Sequence, residues 1–177
     1  AGQALLIRGP SGSGKTTLLR AIAGLWPYSE GQIRHPQDSE LLFLSQRPYL
    51  PLGSLLATLS YPQTALQDSA RVSSVLQTVQ LGHLASRLDE VADWSRILSL
   101  GEQQRLAFGR LLLAAPKVAF LDEATSAMDE GLEDALYRLV RSQLPDTVLV
   151  SVGHRSTLLA HHTAQLQLLG DGGWQLA

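Results

Sequence analysis

The chain has 177 residues, enough for one domain with a hydrophobic core and an inserted lobe. Apolar residues make up 45%, but no apolar stretch reaches the roughly 18 residues that a membrane-crossing helix needs. A net charge of -2 gives no general electrostatic footprint for nucleic acid, and the lack of cysteine excludes disulfides and thiolate metal sites.

Residue 1 is Ala, and Ala4-Leu5-Leu6-Ile7 already reads as a buried strand, as expected of a piece of a longer chain. A glycine-rich stretch follows at once, and residues 15–24 then read as a helix with Leu18, Leu19 and Ile22 along one side and Gly24 as its stop. Leu41-Leu42-Phe43-Leu44 is the next buried-strand pattern, ended by Ser45-Gln46-Arg47-Pro48. Residues 51–96 break the rhythm: they hold no convincing buried strand, and 71–88 reads as a helix through Val72, Val75, Leu76 and Val79. Residues 102–115 read as a helix stopped by Pro116, and 130–144 as another stopped by Pro145. Val118 to Leu121, Thr147 to Val152 and Leu166 to Leu169 are further apolar strand patterns.

Short apolar strands alternating with helices predict an α/β fold with a mostly parallel sheet covered on both faces. The expected organisation is a core over 1–50 and 115–177, whose Gly9-x-x-x-x-Gly14-Lys15-Thr16 pattern is that of a P-loop NTPase, with a helical subdomain over 51–114 inserted into it.

Three stretches carry chemistry. Gly9-Pro10-Ser11-Gly12-Ser13-Gly14-Lys15-Thr16 follows a strand and opens a helix, the setting in which this pattern cradles phosphate. Its backbone amides and the helix N-terminus supply positive potential. Lys15 is expected to reach the β- and γ-phosphates and the Thr16 hydroxyl to ligate Mg²⁺. Gly9, Ser11, Gly12, Ser13, Gly14, Lys15, Thr16 and Thr17 are the expected nucleotide-binding residues.

Val118-Ala119-Phe120-Leu121-Asp122-Glu123 sets two carboxylates where a buried strand emerges, and ligands gather at such strand ends in α/β sheets. Asp122 suits Mg²⁺, and Glu123 suits polarising an attacking water. Taken alone, the pair would equally suit a helix start. Leu98-Ser99-Leu100-Gly101-Glu102-Gln103, by itself, reads as an N-capped helix whose free amides can bind an anion.

With the cradle and the acid pair, this third stretch resembles the signature of the ATP-binding domain of an ABC (ATP-binding cassette) transporter, usually written LSGGQ. The order of further motifs is similar too: Gln46 matches the Q-loop glutamine, Ser126-Ala127-Met128-Asp129 the D-loop, and His154 the switch histidine. The Phe43 to Leu55 segment, Asp93-Trp94-Ser95-Arg96, the LSLGEQQR form and Ser151-Val152-Gly153-His154-Arg155 look like one branch. That branch contains peroxisomal fatty-acyl transporters and bacterial SbmA/BacA-like proteins with a fused ATPase domain. Leu100 and Glu102 depart from the usual signature but suit this branch. His161 and His162 lack further ligands at metal-binding spacing.

The resemblance implies an ATPase in which two such domains sandwich two ATP molecules. Ser99, Gly101 and Asp129 would act across that dimer, Thr16, Gln46 and Asp122 would hold Mg²⁺, and Lys15, Glu123 and His154 would serve catalysis. It implies a membrane domain of the same transporter as partner, a place on the cytoplasmic face of a bacterial inner membrane, and no nucleic acid. Tyr49-Leu50-Pro51-Leu52 lies where the family receives membrane-domain helices; packing within the helical lobe is the other use for it.

The family's upstream antiparallel strands, with their adenine-stacking aromatic, have no counterpart here, since the first aromatic is Trp26. Stacking is worth about 1–3 kcal/mol in nucleic-acid sites, so this stretch alone should bind ATP roughly ten- to a hundredfold more weakly than an intact domain. A soluble ABC-type ATPase would share the same site but normally brings a coiled-coil insertion or a second cassette. A small-molecule kinase would need an acceptor site and would not need the signature or His154. A GTPase would need an Asn-Lys-x-Asp motif, which the chain lacks, and the intact acid pair and His154 count against a binding-only regulator.

Overall fold

The computed structural model describes residues 2–64 and 68–177; residue 1 and residues 65–67 of the expected helical lobe lie outside the described residues. Its main sheet contains β1 (Ala4–Arg8), β2 (Leu41–Leu44), β5 (Val118–Asp122), β6 (Val148–Val152), β7 (Ala164–Leu168) and β8 (Trp174–Leu176). Their order is β2-β5-β6-β1-β7-β8, all parallel except the β7–β8 hairpin.

Side chains alternate across each strand, so both faces of the parallel strands must find apolar cover. One face, with Ile7, Phe120, Val150 and Val152, packs on Leu19 and Ala23 of the segment that begins with α1 (Lys15–Ile22). The other, with Leu6, Leu42, Leu44, Ala119, Leu121 and Leu149, shares one continuous core with the helical region. That region contains β3 (Gly53–Ser54), α2 (Leu55–Ser60), α3 (Ser69–Thr78), β4 (Val91–Ala92), α4 (Trp94–Ile97) and α5 (Leu100–Ala114). The last long helix, α6 (Glu130–Gln143), joins this core through Leu136, Tyr137 and Val140. No described helix is long and apolar enough to cross a membrane.

One detail differs from the sequence expectation and two lie outside it. The helix expected over 71–88 is divided: α3 ends at Thr78, Gln80 takes a left-handed φ of 61°, and a 3-10 turn follows over Gly82–Arg87. Period-3.6 apolar spacing survives the interruption because Val79, Leu81 and Leu84 all reach the core. A two-residue antiparallel ladder, β3–β4, lies within 51–96, beside fully buried Trp94, whose indole N–H donates to the Gly53 carbonyl at 3.2 Å. The exposed strand β8, only three residues long, closes the far sheet edge.

Candidate functional site

Sheet order lines up the carboxyl ends of β2, β5, β6 and β1, so the segments after these four strands stand side by side. The loop after β1 is the glycine-rich one. Gly9 can only be glycine: a Cβ there would lie 2.7 Å from both the Leu168 carbonyl oxygen and Ser13 Oγ. Gly14, at φ 91°, is the left-handed N-cap from which α1 departs. Lys15 is buried, and its ammonium donates to the carbonyls of Gly9 at 2.9 Å and Pro10 at 2.8 Å. Ser13 Oγ is buried with no hydrogen-bond partner among the described residues.

Ser11, Gly12, Gly14, Lys15, Thr16 and Thr17 line one cavity of about 320 Å³ together with Glu123 and His154. The Glu123 carboxylate accepts from His154 Nε2 at 2.8 Å, which requires the proton on that ring nitrogen. Glu123 sits at a left-handed φ of 50°, a costly conformation for a residue with a side chain, held by its amide's bond to the Val152 carbonyl at 3.0 Å.

An adjoining cavity of about 370 Å³ brings together Thr16, Gln46, Asp122 and Glu123. The Thr16 hydroxyl donates to Asp122 at 3.0 Å. Burial pushes the Asp122 carboxyl up from the usual carboxylate range; the Thr16 hydrogen bond opposes this and the Glu123 charge adds to it. A buried carboxylate beside a hydroxyl and an amide oxygen is a hard-oxygen set that fits Mg²⁺, provided phosphate oxygens complete it. Among the described residues, no group of three or more His, Cys, Asp or Glu is placed to hold a metal. His161 instead bonds Asp134, and His162 bonds Ser151 and the Leu158 carbonyl.

Ser99, Gly101 and Asp129 do not line either cavity. Ser99 caps α5 in a reciprocal box: its hydroxyl accepts from the Glu102 amide at 3.2 Å, and its amide donates to the Glu102 carboxylate at 3.0 Å. That bond holds the Glu102 carboxyl below its ordinary range and gives a local reason for glutamate at this place. Asp129 caps α6, accepting from the Leu132 amide at 2.8 Å.

Sequence reasoning missed Gln104. It is fully buried on α5, donates to the Gln46 carbonyl at 2.8 Å and Ser126 Oγ at 3.0 Å, and accepts from the Ala127 amide at 2.9 Å. One side chain thus ties the signature helix to two loops at the site, where Gln46 also donates to Ser126 at 3.2 Å. Nothing local could have found it, because its partners come from distant parts of the chain.

A phosphate cradle on a parallel sheet, with acids and a histidine at neighbouring strand ends, defines a P-loop nucleotide-binding domain. The chain belongs to the ABC transporter family, whose model matches residues 1–126. It is 57% identical to an uncharacterized ABC transporter ATP-binding protein of Haemophilus influenzae, over 99% of this chain and 30% of that protein. It is also 42% identical to ABC transporter D family member 2, chloroplastic, of Arabidopsis thaliana, over 93% of this chain and 30% of that protein. The human lysosomal cobalamin transporter ABCD4 is 40% identical over 99% of this chain and 31% of its own length. The D-family relatives agree with the branch that the motifs resemble. Among solved structures, a bacterial Atm1-family ABC exporter with ATP bound is similar at TM-score 0.82 and 25% identity, over 96% of this chain and 33% of that one. The chain therefore spans about 30% of the length of these relatives.

Proposed function

We propose that this chain binds and hydrolyses ATP to drive transport through a membrane domain of the same transporter. The observation that carries the reading is the Glu123–His154 contact, 2.8 Å long, in the cavity that also holds Lys15 and Thr16. Residues 9 and 11–17 would wrap the phosphates, and Lys15, with two of its three donors held by loop carbonyls, has one left for a phosphate oxygen. Thr16, Gln46 and Asp122 would hold Mg²⁺, which when bound supplies positive charge beside the β- and γ-phosphates. Glu123 takes a proton from the attacking water as the water oxygen bonds to the γ-phosphorus and the bond to the bridging oxygen breaks. His154 holds the Glu123 carboxylate in place.

Ser99, Gly101 and Asp129 stand outside these two cavities, which supports their acting on the nucleotide of a second copy in an ATP-closed dimer. Residues 51–114 would form the lobe that moves with the signature. Tyr49 is 63% and Leu52 78% exposed next to Gln46, while Leu50 is buried, and this apolar rim suits the membrane domain. Such a partnership puts the domain at the cytoplasmic face of a membrane, a bacterial inner membrane in this reading, and involves no nucleic acid.

The test is Glu123→Gln. Hydrolysis should fall at least about tenfold with ATP binding retained, because a positioned base contributes about 10²–10⁴-fold. Light scattering with MgATP should give a dimer that the nucleotide-free protein does not form. Wild-type turnover in the variant removes Glu123 as the base. A monomer that still binds MgATP removes the two-copy reading.

A further inference from the structure

We propose that Glu133 is a positioning residue that locks the loop carrying His154 against the loop that leaves Glu123. Its carboxylate lies in the first turn of α6 and is 2% exposed. One oxygen accepts from the Thr125 hydroxyl and the other from the Thr157 hydroxyl at 2.8 Å. The Arg155 guanidinium stands 3.6 Å from the first of these oxygens. Thr125 lies just past Glu123 in the chain, and Arg155 and Thr157 just past His154. A single buried side chain therefore bridges the two segments whose tips meet in the Glu123–His154 contact.

His154 needs such support. Its side chain is 56% exposed, and its hydrogen bond to Glu123 is the only one it makes among the described residues. The ring is thus placed by its loop rather than by packing. That loop is pressed on the following turn, since a Cβ on Gly153 would lie 2.3 Å from Leu158 Cδ1. Thr157 belongs to the same turn, Ser156–His161, which fixes the direction in which the loop leaves β6. An apolar side chain of similar volume would fill the Glu133 position without the cost of burying charge. It would not hold two hydroxyls from two loops at once, and that is the work the carboxylate does here.

The proposal rests on the reading of Glu123 and His154 as a water-polarising pair. Its test is steady-state ATP hydrolysis by the full-length transporter carrying Glu133→Gln, His154→Ala or both. Misplacing a reacting group by about 1 Å can cost about a hundredfold, so Glu133→Gln should lower kcat at least about tenfold and leave the KM for ATP within about twofold. Because Glu133 acts through His154, the double variant should be no slower than His154→Ala alone. Wild-type kcat in Glu133→Gln, or losses that multiply in the double variant, overturns the proposal while leaving the ATPase reading intact. Wild-type kcat in His154→Ala overturns the pair and the proposal with it. Should Glu133→Gln fail to fold, Thr157→Val removes one of the two hydroxyls; it should lower kcat in the same sense, and an unchanged kcat overturns the proposal.

Discussion

His162 makes the stability of this domain depend on pH in a way that can be worked through. Its Nδ1 meets the Leu158 carbonyl at 2.6 Å, and a carbonyl only accepts, so Nδ1 carries a proton. Its Nε2 lies 2.8 Å from Ser151 Oγ, which itself meets the Tyr137 hydroxyl at 3.1 Å. A neutral ring closes this chain: Tyr137 donates to Ser151, Ser151 to Nε2, and Nδ1 to the carbonyl. Burial accordingly pushes the His162 imidazole down to about 4. A depressed histidine favours folding only while it is neutral. Its contribution is complete above the ordinary value near 6.5 and is lost as pH falls from there toward about 4. At pH 5 the unfolded chain binds this proton and the folded one does not, which costs about 2 kcal/mol relative to pH 7. Urea unfolding at both pH values, for the native chain and for His162→Asn, isolates the term. The native chain should lose about 2 kcal/mol more than the variant between pH 7 and pH 5. Equal losses in both would refute the neutral, buried assignment of His162.

Other expectations follow from single contacts. Gly9→Ala should weaken nucleotide binding at least about tenfold, because the new Cβ cannot coexist with the Leu168 carbonyl and Ser13 at 2.7 Å; isothermal titration would read this. Gln104→Leu leaves the Ala127 amide without its partner and should cost about 1–3 kcal/mol by urea unfolding, with hydrolysis falling as the two loops lose their common tether. Binding of Mg²⁺–nucleotide should begin to weaken at a higher pH than an ordinary carboxylate ligand would give, since Asp122, raised by burial, must first give up its proton; Asp122→Asn should remove that pH dependence together with most of the metal affinity.

The phosphate cradle and the acid pair were legible because their chemistry is written into contiguous residues. A strand running into Gly9–Thr16 and then a helix has one geometry, and Val118 to Asp122 carries its carboxylates at the strand's own end. Thr16, Gln46, Asp122, Glu123 and His154, the residues that the family resemblance singled out, line two adjoining cavities. The 71–88 region was misread as one helix because apolar spacing reports which residues are buried, not whether the backbone stays helical through Gln80. Strand β8 was missed because three residues are too few for the Trp-Gln-Leu alternation to stand out as a strand.

Strand and helix periodicity determined the α/β class, and contiguous motifs marked the phosphate loop and the acid pair, since each depends on neighbours close in the chain; Gln46 and His154 were singled out only through the family resemblance. Gln104 and Glu133 belong to another category. A glutamine in a helix and a glutamate near a helix start are ordinary by sequence, and their local setting would let either stay at the surface. Only tertiary packing buries them and brings Gln46, Ser126, Thr125 and Thr157 within hydrogen-bond reach. A buried polar group must be satisfied where it stands, and what stands there is decided by the whole fold rather than by the chain around it.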